Sequence, residues 1–162
     1  MIRVLHVYKT CQPQTHGGVE SFINSLCVKS NSEVSNTVFA LSKKPSESPI
    51  QYNGYEIHLS KQDLYLFSTG LSVSAFSHFK KLIKQSDIIH YHFPNPMADL
   101  LHLMISVDKP AIITYHSDII KYKMLYFFYK PLMYLFLNNA KHVIFTSNNY
   151  LKSSSAAKRI KS

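Results

Sequence analysis

Short runs of β-branched and aromatic residues alternate along this chain with longer segments of helical period. The runs predict six strands, at Ile2–Tyr8, Asn36–Leu41, Tyr55–Leu59, Asp87–His92, Ala111–Tyr115 and His142–Thr146. The segments between them predict helices at Val19–Ser30, Val73–Gln85, Pro96–Val107, Tyr122–Asn138 with a kink at Pro131, and Asn148–Ile160. Nearly continuous apolar strands are buried on both faces, and right-handed helical crossovers join such strands in parallel. The alternation therefore predicts a doubly wound α/β domain with a mainly parallel sheet and helices on both faces.

The length of the chain fits one such domain. Its 162 residues, 46% of them hydrophobic, are enough to bury one continuous core. The stretch Ser42–Asn53 is rich in turn-forming residues and predicts a loop, not a domain boundary. From about residue 148 the chain becomes small and basic, as a last helix and the start of a linker would. We expect a single domain over residues 1–162.

Charge is distributed unevenly along the chain. The formal net charge is +9, and no acidic residue follows Asp118, whereas eight basic residues do. A positive surface of this kind suits anionic lipid headgroups, a phosphorylated substrate or nucleic acid. The basic residues form no recognisable RNA or DNA motif, so we expect no nucleic-acid partner.

The cysteines and the apolar segments indicate the compartment. Cys11 and Cys27 are too far apart for a CxxC pair and too few for a disulfide framework, which favours a reducing cytoplasm. The N-terminus has no export-signal pattern. The longest apolar stretch, Met124–Leu137, is interrupted by Lys130 and Pro131 and is shorter than the roughly 20 residues that span a bilayer. Such a stretch is still able to lie on a membrane.

The loop after the first predicted strand is one candidate site, because ligands of open parallel sheets bind at the carboxyl ends of the strands. This loop ends in Gly17 and Gly18, directly before an apolar helix. Paired glycines let the backbone approach a ligand, and a helix N-terminus favours an anion. A tight strand-to-helix turn would require the same two glycines. Neither a GxGxxG fingerprint nor a Walker loop is present, which disfavours nicotinamide enzymes and P-loop ATPases.

Two further strand ends carry polar side chains. His90 and His92 share one face of their strand, as metal ligands or as buried, hydrogen-bonded histidines; a metal site would need more partners. His116 follows the next strand, where an imidazole binds hydroxyl groups or moves protons near neutral pH. Asp118 offers acceptors to hydroxyl groups. The alternative is that His116 packs at the strand end and Asp118 caps the next helix.

Four motifs in order resemble the N-terminal domain of family 4 glycosyltransferases. They are Gly-Gly-Val-Glu at 17–20, Asp-Ile-Ile-His-Tyr-His-Phe-Pro at 87–94, Thr-Tyr-His-Ser-Asp-Ile-Ile at 114–120, and Ala-Lys-His-Val-Ile-Phe-Thr-Ser at 140–147 followed by Tyr150 and Leu151. The resemblance implies a retaining enzyme of GT-B fold that uses a nucleotide-sugar co-substrate and requires neither a metal nor another cofactor. The C-terminal nucleotide-sugar domain of such enzymes is absent from these 162 residues, so we expect this polypeptide alone to be inactive.

The resemblance also implies roles for particular residues. Gly17 and Gly18 correspond to the loop that approaches the donor phosphate and the transferred sugar. His116 corresponds to the catalytic histidine near the reacting sugar. The positions that correspond to the acceptor side are Glu20, His92, Ser117 and Asp118.

The acceptor implied by the resemblance is a saccharide or a lipid-linked saccharide of O-antigen, capsule or exopolysaccharide. Such enzymes work in the cytoplasm, peripherally on the cytoplasmic face of the inner membrane. The aromatic segment Lys121–Leu137 would suit this place, with Lys121, Lys123 and Lys130 toward anionic headgroups. The alternative is a buried helix pair broken at Pro131.

Two other functions fit the residues. One is a metal-dependent hydrolase that uses His90, His92, His116 and Asp118. The other is a non-catalytic module that binds a phosphorylated ligand or a partner.

Overall fold

The computed structural model describes residues 1–119, 123–147, 151 and 160. Helices within these residues are α1 Gly18–Ser30, α2 Ser74–Lys84, α3 Pro96–Ile105 and α4 Lys123–Asn139. The strands are β1 Ile2–Val7, β2 Val34–Ser42, β3 Ile50–Tyr52, β4 Tyr55–Lys61, β5 Leu64–Leu66, β6 Thr69–Leu71, β7 Ile88–Phe93, β8 Ala111–Tyr115 and β9 His142–Phe145. All six predicted strands and the first four predicted helices are present. The fifth predicted helix lies outside the described residues except for Leu151 and Ile160.

Seven strands form one sheet in the order β3-β4-β2-β1-β7-β8-β9. Every neighbouring pair is parallel except β3 with β4. The strand order reverses between β1 and β7, since the chain builds outward from β1 on one side and from β7 on the other. Such a switch point opens a crevice at the carboxyl ends of the two strands. The predicted doubly wound, mainly parallel sheet is confirmed.

Three short strands, β3, β5 and β6, were not predicted from the sequence. The predicted loop Ser42–Asn53 is wrong at its end, where β3 pairs antiparallel with β4 across a turn at Asn53 and Gly54. Both turn residues have positive φ, 47° and 86°, as the Asn-Gly hairpin signal requires. The second hairpin joins β5 to β6. Strands of three residues are too short to show the alternation from which a strand is recognised.

One face of the sheet is apolar and packs against α2, α3 and α4. Its largest side chains come from the central strands and are at most 1% exposed: Leu5, Tyr91, Phe93, Ile113 and Tyr115. The other face is also apolar where α1 covers β2 and β4, with Cys27 against Val38 and Ile57. On β1, β7 and β8, however, this second face carries buried polar side chains, namely His6, His90, His92 and Thr114. The centre of the sheet is therefore buried on both faces, and one patch of its interior is polar.

Helix α4 continues through Pro131 as one element from Lys123 to Asn139. It packs Met133, Phe136 and Leu137 into the core. Neither α4 nor any other helix in the described part of the chain is long and apolar enough to cross a membrane.

Candidate functional site

The loop between β1 and α1 is tied to the start of the helix by Glu20. Gly17 is the N-cap in an extended conformation, and Glu20 is the third helical residue. The carboxylate oxygen Oε1 of Glu20 accepts hydrogen bonds from the hydroxyls of Thr10 at 2.6 Å and Thr15 at 3.4 Å. Glu20, one of the predicted acceptor contacts, thus already has partners within the protein.

The two glycines of this loop have different surroundings. A Cβ atom at Gly17 would collide with Oε2 of Glu20, whereas a Cβ at Gly18 would meet nothing within 4 Å. A side chain at position 17 would therefore require the carboxylate of Glu20 to move. Gly18 leaves open space at the N-terminus of α1, where unpaired backbone N–H groups favour an anion.

A row of hydrogen-bonded imidazoles crosses the polar patch of the sheet. Asn36 on β2 lies beside α1 and its Oδ1 is 3.1 Å from Nε2 of His6. Nδ1 of His6 is 3.2 Å from Nε2 of His92 on β7. Nδ1 of His92 is in turn 3.1 Å from Nε2 of His116, which follows β8. The row runs from beneath α1 to the crevice at the carboxyl ends of the strands.

Burial keeps these imidazoles neutral near pH 7. It lowers the pKa of His6 to about 4 and that of His92 well below its usual value. The same desolvation lowers the pKa of His90 to about 3 and that of His116 to about 4. His6 and His92 are at most 2% exposed, whereas His116 is half-buried. His116 is thus the point where the row meets the crevice.

Aromatic and polar neighbours hold the rings in place. His90 bonds Oγ1 of Thr114 at 2.7 Å through Nε2 and stacks on His92 with centroids 4.5 Å apart. The ring of Phe22 on α1 lies edge-on to His116 at 5.1 Å and is 41% exposed. Phe22 therefore forms one wall beside His116 at the crevice.

The histidine cluster has the spacing of a metal site, but its nitrogens have protein partners. One ring nitrogen each from His6, His90 and His92 lies within 4.8 Å of the others. Both ring nitrogens of His6 and of His92 take part in the hydrogen bonds of the row. Of the predicted hydrolase set, His90, His92 and His116 lie together. Oδ1 of Asp118 accepts a 2.6 Å hydrogen bond from Tyr115, whose ring lies in the apolar core.

Three polar residues of this region were not predicted as site residues. His6 and Asn36 complete the row, and only the strand order places them beside His92. Asp99 on α3 is buried, which raises the pKa of its carboxyl to about 8. Tyr129 of α4 donates a hydrogen bond to Oδ2 of Asp99. Oδ1 of Asp99 has no hydrogen-bond partner within the described residues. An acidic residue inside the apolar run Pro96–Ile105 was the available signal for Asp99.

The remaining predicted residues lie after β8 and on α4, as far as the structure describes them. Ser117 and Asp118 follow β8 beside His116 and are half-buried. Lys130 is on α4, with Nζ 6.0 Å from the ring centre of Tyr134. Lys123 begins α4, and Lys121 lies outside the described residues.

Comparison with known proteins gives a family match over most of the chain. The model of Glycosyltransferase Family 4 matches residues 16–159. The D-rhamnosyltransferase WbpZ of Pseudomonas aeruginosa is 41% identical over 154 residues, which are 94% of this chain and 40% of that protein. The O-antigen chain mannosyltransferase C of Escherichia coli is 38% identical over 161 residues, 98% of this chain and 43% of that protein. The chain thus spans less than half the length of these relatives.

Two solved structures share the fold. The sucrose-phosphate synthase of Thermosynechococcus elongatus superposes with a TM-score of 0.67 at 14% identity, covering 99% of this chain and 47% of that one. The α,α-trehalose 6-phosphate synthase of Burkholderia multivorans gives a TM-score of 0.54 at 10% identity, covering 97% and 41%. At these identities the match concerns the fold alone, which is that of the N-terminal half of GT-B synthases.

Proposed function

Because the chain belongs to glycosyltransferase family 4, we propose that it is the acceptor-side domain of a retaining enzyme that transfers a sugar from a nucleotide-sugar donor. The names of its relatives suggest mannose or D-rhamnose as the sugar and an O-antigen chain as the acceptor. We propose that this acceptor is linked to a lipid. The observation that supports the proposal is the contact of Phe22, near the start of α1, with His116 after β8, at the switch point of the sheet.

The crevice suits a reaction in which charge separates as the sugar leaves its diphosphate. We propose that the open N-terminus of α1 at Gly17 and Gly18 faces the donor phosphate and that His116 faces the reacting sugar. Positioned hydrogen bonds, not a covalent protein nucleophile, would stabilise such a transition state. The required groups are all side chains or backbone of the protein, so we propose no metal and no cofactor.

For the acceptor side we propose direct contacts from Ser117 and Asp118, which directly follow His116 and are half-buried. His92 is 1% exposed and reaches the crevice through His116, so we propose an indirect role for it. Glu20 acts in this proposal by holding the glycine loop in place through Thr10 and Thr15.

A chimera tests the proposed function. In it, this chain replaces the matching residues of the Escherichia coli mannosyltransferase, and transfer from nucleotide-activated mannose to a lipid-linked acceptor is measured. We expect product from the chimera and none from the 162-residue polypeptide alone, because in the solved structures that share this fold the matching region is less than half of the chain.

Two variants of the chimera test the role of His116. We expect His116→Ala to lower kcat at least about 100-fold, the size of effect typical of a positioned transition-state contact. His142→Ala is the matched control, since His142 is an exposed histidine on the neighbouring strand β9. Equal activity of the two variants in folded chimeras would exclude His116 from the reaction.

We further propose that the protein works in the cytoplasm and rests on the cytoplasmic face of the inner membrane through α4. Phe127 and Phe128 are 72% and 73% exposed on this helix, and Lys130 follows them. Exposed aromatic rings beside lysines are typical of an interfacial helix on anionic lipid.

A further inference from the structure

We propose that Asn36, His6 and His92 form a buried hydrogen-bond lock that fixes the tautomer of His116, with the proton on Nε2 and the lone pair of Nδ1 presented to the crevice. The lock consists of positioning residues, because each acts on His116 through its neighbour in the row. Its reading as part of a catalytic site rests on the proposed function, whereas the tautomers themselves follow from the hydrogen bonds.

The lock begins at the side-chain amide of Asn36. Its Nδ2 donates hydrogen bonds to the carbonyl oxygen of Cys27 at 3.1 Å and to the hydroxyl of Ser30 at 2.9 Å, both on α1. A reversed amide would place Oδ1 against that carbonyl oxygen, and two acceptors repel each other. The amide orientation is therefore set by α1, and Oδ1 is the atom that faces His6.

An amide oxygen only accepts hydrogen bonds, so Nε2 of His6 must carry the proton. A neutral imidazole has one N–H, and Nδ1 of His6 is then an acceptor. The same reasoning gives His92 a proton on Nε2, which it donates to His6, and a lone pair on Nδ1. His116 must in turn donate from Nε2 to His92, which leaves its own Nδ1 as an acceptor.

All hydrogen bonds of the row are donated in the same direction, from His116 toward Asn36. Moving every proton one place along the row would require a proton on Oδ1 of Asn36, which an amide does not accept near neutral pH. The row is thus a lock and not a channel for protons. Complete burial of His6 and His92 excludes the water molecules that would otherwise offer alternative partners.

The consequence for the crevice is chemical selectivity at His116. Its Nδ1 has no partner among the residues that the structure describes, and it presents a lone pair, not a positive charge. A neutral acceptor binds the hydroxyl group of a saccharide and repels the oxygens of a phosphate. His116 would therefore bind a hydroxyl group, and a phosphate would bind at the N-terminus of α1.

The test is a two-bond ¹H–¹⁵N correlation spectrum of the histidine rings in the 162-residue polypeptide, recorded at pH 7 after treatment with a chelator. We expect His6, His92 and His116 all to be neutral with the proton on Nε2. A proton on Nδ1 of His92 or of His116 overturns the proposal. Stoichiometric zinc or manganese that survives purification and resists the chelator also overturns it, because a metal would take the lone pairs that the row uses.

Variants of Asn36 test the origin of the lock. Asn36→Leu removes the acceptor, so we expect His116 to change from one tautomer to a mixture. Asn24→Leu is the matched control, because Asn24 bonds Asn53 and Tyr55 away from the row. The His58–His78 pair, whose ring nitrogens are 3.3 Å apart, serves as an internal reference that should not change.

If Asn36→Leu does not fold, Asn36→Ser replaces it. A serine hydroxyl both donates and accepts, so it also permits either direction of the row. An unchanged tautomer of His116 in a folded Asn36 variant contradicts the role of Asn36. Failure of the chimera to transfer sugar would reject the proposed function and leave the tautomer result unaffected.

Discussion

At the scale of single residues, the two glycines of the loop that opens α1 have different surroundings. A side chain at Gly17 would displace the carboxylate of Glu20, which occupies that space. Gly18 has that space, and nothing in the described protein fills it. Glu20 thus borders Gly17, whereas the space beside Gly18 is open and is the space that we propose for the donor phosphate.

This difference predicts opposite results for two alanine substitutions. Gly17→Ala displaces the carboxylate from Thr10 and should lower the free energy of unfolding by about 2 kcal/mol, the cost typical of a lost hydrogen bond to a charged group. Gly18→Ala should change stability by less than about 1 kcal/mol, because alanine is favoured over glycine in a helix. Urea unfolding followed by circular dichroism measures both.

In the chimera, Gly18→Ala should affect donor binding more than Gly17→Ala does. Gly18→Ala should raise the KM for the nucleotide sugar, since its methyl group enters the space proposed for the phosphate. Equal losses of stability in the two variants would show that the loop rearranges and that the open space at Gly18 has no functional meaning.

At the scale of elements, α4 uses its two sides differently. Met133, Phe136 and Leu137 are at most 1% exposed and complete the core, as the buried-helix alternative predicts. Phe127 and Phe128 face outward on the same helix. The inner side is buried as that alternative predicts, although α4 is one helix and not a pair broken at Pro131. Membrane contact by the outer side stays a prediction.

If the outward side of α4 rests on a membrane, binding should depend on Phe127 and Phe128 and on the salt concentration. The double variant Phe127→Ser and Phe128→Ser should weaken binding to vesicles containing anionic lipid about tenfold or more, because burying one such ring contributes roughly 2 kcal/mol. Binding should also fall as ionic strength rises, since the lysine contribution is screened. Co-sedimentation with the vesicles measures both effects.

Met104→Ser is the matched control for this experiment, because Met104 is 65% exposed on α3. It should leave vesicle binding unchanged. If it weakens binding as much as the double variant does, the contact is a general apolar effect and not a property of α4.

At the scale of the whole molecule, buried titratable groups set the pH range of stability. Desolvation lowers the pKa of six histidines in the folded protein: His6, His78, His90, His92, His102 and His116. The unfolded chain binds those protons below a pH of about 6.5, so each group weakens the fold as pH falls from there, at up to about 1.4 kcal/mol per pH unit. Asp99 acts in the opposite direction, because its pKa is raised to about 8 and its stabilising effect is lost as pH rises through that value.

These signs predict a maximum of stability near pH 6.5, a steep decline toward pH 4 and a shallow decline toward pH 8. Asp99→Asn should flatten the alkaline side and make the acid side steeper, because between about pH 4 and 8 the buried carboxyl of Asp99 opposes the effect of the histidines. The urea midpoint as a function of pH, followed by circular dichroism since the chain has no tryptophan, measures the profile. A constant midpoint between pH 6.5 and 4 would mean that the histidines become charged inside the folded protein.

The sequence by itself determined the class of fold and the neighbourhood of the site. Six strands and four helices were predictable because the period of apolar residues is a local property, long enough in each element to be recognised. His90 and His92 were predictable on one face for the same reason, and the ends of parallel strands placed Gly18 and His116 at one edge of the sheet.

Only the tertiary structure decided which partners these residues have. His6 and Asn36 join His92 because β1 lies between β2 and β7, and strand order is a non-local property that no single segment carries. The partner of Asp99, Tyr129, likewise comes from the packing of α4 against α3. Hydrogen bonding and burial depend on what lies across the interior, so the chemical state of the row was fixed by the assembled sheet and not by the order of residues along the chain.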